Sequence, residues 1–210
     1  MKFLYRYILF SLFICLNLST AKGLPPGDLP LKIKTGLYIA DLDSINTADQ
    51  SFEARVFYEL RWKDSRLAHN NSEPIVKKLS EVWSPSIQIL NQQKVWNSSP
   101  DQVKITPEGE VIYAKGLWGS FSQPLKLKTF PFDTQKFSIK FVAGGGFTPD
   151  EVTFIPDETG RSGIAKELSV ADWKVTGWEH DLSPFALVNS AQRSAITYSF
   201  TADRLTSYFI

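Results

Sequence analysis

Nucleophiles, bases and metal ligands are scarce in this chain. His69 and His180 are its two histidines, and neither has a neighbour at metal-ligand or triad spacing. Cys15 is the one cysteine and lies in an apolar N-terminal run, so thiol catalysis and thiolate-bound zinc or iron–sulfur centres have nothing to use. Asp41 and Asp43 form a carboxylate pair in a loop, equally readable as solvated or as functional. The glycine-rich stretch AGGGF at 143–147 opens no helix, which argues against a phosphate cradle. The expectation is a protein that is not an enzyme and takes no cofactor and no metal.

The remaining chemistry is that of contacts. The stretch LKLKTFPFDTQKFSIKF, residues 125–141, alternates, breaks at Phe130-Pro131-Phe132-Asp133, then alternates again. Turn apices are usually polar, so two rings at an apex call for something to cover them. There are six Trp, among them Trp62, Trp83, Trp173 and Trp178 beside charges. Aromatics on strands usually fill the core of a sandwich, which accounts for most of them. Three Asn-x-Ser/Thr sequons, at Asn17, Asn70 and Asn97, are no more than chance supplies.

The elements that position these residues are strands. Period-two alternation runs through 31–42, 51–62, 86–91, 103–105, 110–114, 135–142, 151–155, 172–180 and 195–201. The turn signals PEG at 107, GGG at 144, TP at 148 and PDETG at 156 separate several of these runs. SEPIVKKL, 72–79, is the exception and reads as a short helix, with Ser72 as cap and Pro74 in the first turn. The pattern predicts an all-β fold, an immunoglobulin-like twisted β-sandwich of about ten strands with one short helix.

The first 21 residues read as a signal peptide: Lys2 and Arg6, an apolar run of about a dozen residues, then Ser19-Thr20-Ala21. The run is shorter than the roughly 20 residues that span a bilayer. Of the 23 Lys and Arg, those two fall in the leader, leaving 21 against 22 acids. A near-neutral exported domain, 22–210, has no field for nucleic acid. Without cysteine it holds itself by its core.

Five motifs occur in order across nearly the whole of 22–210: Trp62-x-Asp64; Trp83-x-Pro85 followed by Asn91; FPFDTQ at 130–135; ADWKVTG at 171–177 with Trp173; and ITYSFTADRLTSYFI at the end. Together they resemble the extracellular ligand-binding domain of the pentameric ligand-gated ion channels, the Cys-loop receptor superfamily. The resemblance implies that Phe130, Pro131 and Phe132 form a loop tip resting on a transmembrane domain, with Pro131 fixing the corner through its locked φ. It implies that Asp133 pairs with Arg204 and that Ile45, Asn46 and Thr47 form a neighbouring coupling turn. The positions matching the family's two cysteines are Gln123 and Phe137, which places the chain with the prokaryotic members that lack the disulfide. Residue 210 falls where the first membrane helix would begin.

For the ligand site, the resemblance implies an intersubunit cage. Phe57, Ile112 and Ala114 match its complementary face. Leu90 and Gly144 stand where amine receptors carry Tyr and the cation-binding Trp. Phe147 or Phe185 is the candidate to restore a wall, and Trp83 is expected in the core. With most of the aromatic box missing, tight acetylcholine binding is not expected. The implied whole is a homopentamer of identical subunits at the periplasmic or extracellular face of the plasma (inner) membrane. A small-molecule ligand or a proton, through Asp41, Asp43 or other carboxylates, would open a pore carried by the same polypeptide. Two other readings stay open: a secreted, pore-less pentameric binding protein, and a carbohydrate-binding sandwich with Trp118 and Trp178 as its platform.

Overall fold

The structure is a computed structural model that describes residues 23–186 and 190–206. The expected signal peptide and the expected start of a membrane helix lie outside these residues. Twelve strands are described: β1 (Leu31–Asn46), β2 (Ser51–Lys63), β3 (Ile75–Lys78), β4 (Gln88–Ile89), β5 (Gln92–Asn97), β6 (Gln102–Ile105), β7 (Glu110–Ser122), β8 (Thr134–Val142), β9 (Val152–Pro156), β10 (Gly163–Ile164), β11 (Trp173–Asp181) and β12 (Ala195–Arg204). They form two sheets. The larger runs β10-β1-β2-β7-β6-β3, with β5 on β7 and β9 on β1; the smaller runs β11-β12-β8-β4.

Alternation is what makes the sandwich. Along β8 and β12 every second side chain turns inward, as the strand period of two requires. Phe52 of β2, Phe121 of β7, Phe137 of β8 and Phe200 of β12 meet between the sheets with ring centroids 5.0–5.6 Å apart. This ring cluster lies toward the end of the sandwich where β1 turns into β2, within a core that runs the length of the sandwich. At the other end Trp62, Trp83 and Phe147 pack in series, 6.1 and 5.5 Å apart.

The helix expected over 72–79 is not formed. Ile75–Lys78 is a strand on β6, with Ile75 opposite Ile105, and only Leu79–Glu81 turns into a 3-10 helix. The β-branched Ile75 and Val76 fit a ladder better than a helix. Strand β7 also runs well past residue 114, paired with β2 as far as Ser122, and Gly119 lets β5 approach its other edge. A Cβ at Gly119 would lie 2.4 Å from the Lys94 carbonyl oxygen.

Asn91 staples the two sheets. Its side-chain amide donates to the Ser122 and Ser138 carbonyls at 3.1 and 2.7 Å, and its oxygen accepts from Lys140 N–H at 3.3 Å. Ser122 ends β7 in one sheet, while Ser138 and Lys140 lie on β8 in the other. Replacing Asn91 with Ala should cost about 2–3 kcal/mol, since it orphans carbonyls and an amide together. In urea the midpoint should fall with an unchanged slope.

Candidate functional site

Two regions hold the residues picked out from the sequence. The first is the end of the sandwich that carries Phe132. Thr129 O accepts from Phe132 N–H at 2.8 Å, closing the turn, and Phe132 is left 75% exposed at its apex. Asp133 directly precedes β8 and is buried. Its carboxylate accepts from Arg204 Nε at 2.8 Å and from the terminal guanidinium nitrogen Nη2 at 3.2 Å. A third donor, Gln135 Nε2, reaches it at 2.6 Å. The backbone repeats the link, Arg204 N–H to Asp133 O at 3.1 Å.

Two aromatic rings pack on Arg204. Its guanidinium lies 4.1 Å from the Trp173 ring centroid and 4.9 Å from that of Phe130. Trp173 stands opposite Arg204 in the β11–β12 ladder and abuts Phe137 edge-on at 5.7 Å. Arg204 also reaches the Thr47 hydroxyl at 3.4 Å. Asn46 ties the same turn through hydrogen bonds with Asp49. One guanidinium therefore touches the corner, the terminal strand and the β1–β2 turn. Burial alone raises the Asp133 pKa, but the bonds from Arg204 and Gln135 outweigh it and hold it below the usual value of 3.8.

The second region is divided between the sheets. On the larger sheet Phe57 and Ala114 line one cavity with Tyr38, Glu59, Lys115 and Arg161, while Ile112 lies two residues earlier in β7, on the same side of the strand. On the smaller sheet Leu90 donates its N–H to the Lys140 carbonyl at 3.0 Å, and the Lys140 ammonium sits 5.2 Å from the Phe185 ring centroid. Leu90, in the turn after β4, and Phe185, outside the named strands, thus flank one lysine of β8, whereas Phe57 is on the larger sheet.

Two expected ligand contacts fail. Phe147 is 3% exposed against Trp83, so it serves the core rather than a ligand wall. Gly144 is buried with its N–H on the Pro85 carbonyl, and a Cβ there would lie 2.1 Å from Ser86 O, so no side chain fits. Of the structural motif, Trp62 is buried beside Trp83. Asp64 caps the Ser65–Leu67 turn and binds Arg66 with both oxygens at 2.8 Å. His69 and His180 meet no metal cluster among the described residues. Trp118 stacks on Trp96 in the larger sheet and Trp178 on Tyr198 in the smaller, so they form no common platform. Arg161 was not singled out in the sequence, since a lone Arg in PDETGRSG carries no signal of what it will face.

Residues 21–206 match the family described as the neurotransmitter-gated ion-channel ligand binding domain. The chain is 25% identical over 186 residues to a proton-gated ion channel of Gloeobacter violaceus, covering 86% of this chain and 51% of that protein. It is 24% identical over 155 residues to a gamma-aminobutyric acid receptor alpha-like protein of Drosophila melanogaster, 70% of this chain and 23% of that one. It is 26% identical over 137 residues to the human gamma-aminobutyric acid receptor subunit alpha-2, 61% and 30% respectively. The chain spans about half or less of the length of these relatives.

Asp133→Asn or Arg204→Gln alone should each cost about 3–5 kcal/mol, because each leaves a buried group uncompensated. The double variant should cost far less than the sum, as a double-mutant cycle in denaturant will measure. Because the folded pKa of Asp133 is depressed, its contribution is fully present above pH 3.8 and is lost as pH falls through the lowered value. Acid titration of wild type against Asp133→Asn should show the difference vanish only in that window.

Proposed function

The chain belongs to the family of neurotransmitter-gated ion-channel ligand-binding domains, a family of receptors rather than enzymes, and we propose that it senses ligand for a pentameric channel of identical subunits. On this reading the domain is exported and stands on the periplasmic or extracellular face of the plasma membrane, and residues 22–210 form the unit that the leader delivers. The pore is carried by the same polypeptide, in keeping with relatives about twice this length or more.

The observation that carries the reading is the meeting of three segments at Arg204 beside an exposed aromatic tip. Phe132 is apolar surface that a partner must cover, and Arg204 ends the strand that leads onward from the domain. A displacement of β12 is handed to the corner and to the β1–β2 turn through one buried side chain. The split of the ligand residues supports the assembly. Phe57 and Ala114 face out from the larger sheet and Leu90 and Phe185 lie beside Lys140 of the smaller, so a cage holding both sets takes two chains. Tyr38, Phe57, Trp96 and Trp118 form an exposed aromatic band on the larger sheet, suited to burial against a neighbouring subunit.

The trigger is a small molecule. Every carboxyl among the described residues whose pKa departs from the ordinary moves down: Asp41, Asp64, Asp101, Glu108, Asp133 and Asp181. Asp41 is held down by the Ser169 hydroxyl and N–H, both at 2.7 Å. The lowered values take these six groups away from a mildly acid switch, which favours a small molecule over a proton as the trigger. A ligand opens the pore only by binding one arrangement of subunits better than another.

The full-length protein in voltage-clamped membranes should pass ligand-evoked current, and native mass spectrometry should return five copies. Phe132→Gln, a change at an exposed tip that spares the fold, should leave the pentamer intact and raise the half-maximal ligand concentration about fivefold or more. An unchanged dose response would remove the coupling role from this tip.

A further inference from the structure

The cavity beside Phe57 is formed within one chain, and its walls specify the charge of its occupant. It encloses about 400 Å³ between β1, β2, β7 and the loop after β9, a volume suited to a small organic molecule. Tyr38 and Phe57 stand opposite each other across β1 and β2 and are 39% and 48% exposed, giving an aromatic wall. Lys115 is also in the lining, but its ammonium is already committed to Asp101 at 2.6 Å and the Ser99 carbonyl at 2.9 Å.

Arg161 differs. It pairs with a single oxygen of Glu59, and that oxygen already accepts from Arg61 Nε at 2.6 Å. A guanidinium has five N–H donors, so Arg161 brings spare donors to the rim of an aromatic cavity. Its loop is preset. Residues 157–162 bulge between two parallel pairings with β1, Thr35 with Pro156 and Tyr38 with Gly163. The bulge is pinned by Asp157 N–H to Thr35 O at 2.8 Å and Leu37 N–H to Ser162 Oγ at 3.2 Å. Glu59 is the only acid among the described residues of the lining, set against Arg161 and Lys115.

We propose that this cavity takes a small organic carboxylate, whose charged end binds the Arg161 guanidinium while its apolar body lies on Tyr38 and Phe57. Glu59 is then the internal anion that the ligand displaces. The inference rests on reading this face as ligand-binding and adds the chemical class of the ligand and the residue that selects it.

The test is calorimetric titration of the full-length protein with benzoate, against benzylamine and benzyl alcohol of the same shape. Benzoate should bind in preference to both. Arg161→Gln should weaken it about tenfold or more, the loss of a charge-assisted bidentate contact. Glu59→Gln should tighten it about threefold or more by removing the competing carboxylate. Lys94→Gln, an exposed charge outside the cavity, should change nothing. Preference for benzylamine, or benzoate binding indifferent to Arg161, overturns the assignment. Arg161-dependent binding without evoked current would keep the anion site and reject the channel reading; current evoked by an amine with no benzoate binding would do the reverse.

Discussion

A buried guanidinium is tolerable only when its charge is matched and its donors are used, and that demand at Arg204 organises one end of this molecule. Its side chain is 4% exposed and that of Asp133 is 1%. Neither can be solvated, so each holds the other in place, and Trp173 and Phe130 close over the pair. Trp173 continues into Phe137, Phe137 into Phe52 and Phe200, so the charge pair and the aromatic core are one packed unit. Such close-packed interiors transmit displacement rather than absorb it. The loop tip, the terminal strand and the β1–β2 turn therefore meet at one side chain.

The corner keeps its shape without a covalent clasp. The positions resembling the family's paired cysteines are Gln123 and Phe137, and a neighbouring hydrogen-bond set does the closing. Gln123 Oε1 accepts from Ser138 N–H and Oγ at 3.0 and 3.1 Å. Gln135 exchanges both amide bonds with the Lys126 backbone at 3.0 and 2.9 Å. A disulfide closing a loop of roughly 15 residues stabilises by about 3 kcal/mol. Four hydrogen bonds at about 1 kcal/mol each reach the same order. Gln135 does more than close the loop, because its Nε2 also donates to Asp133 and so ties the clasp to the buried pair.

What the sequence revealed follows from which signals are local. Alternation in 31–42, 51–62, 135–142 and 195–201 is set by the pleat itself, and β1, β2, β8 and β12 lie there. FPFDTQ and the terminal DR were legible as partners through resemblance, and the geometry pairs Asp133 with Arg204. Ile75 and Val76 were misassigned because Ser72 and Pro74 mimic a helix start, while the ladder with β6 that decides the matter comes from residues some thirty positions away. Phe147 and Gly144 misled for a related reason: sequence position does not say which face a residue presents, and Ser86 sits where a Gly144 side chain would go. Arg161 was invisible because its meaning depends on Tyr38, Phe57 and Glu59, more than a hundred positions earlier.

The two regions are joined by the strands themselves. From Phe57, β2 runs to Ser51 at the β1–β2 turn, about 20 Å at the strand rise, and that turn receives Arg204 through Thr47. From Ala195, close to the Phe185–Arg193 bridge, β12 runs about 30 Å to Arg204. On the proposed reading, events on the Phe57 face and beside Phe185 converge on the same guanidinium. On the proposed reading those two faces belong to different ligand sites of a ring, one shared with each neighbour. Arg204 is then where the state of both interfaces of a subunit is registered, and a ring of such subunits is held to a common arrangement by a side chain that contacts no ligand at all.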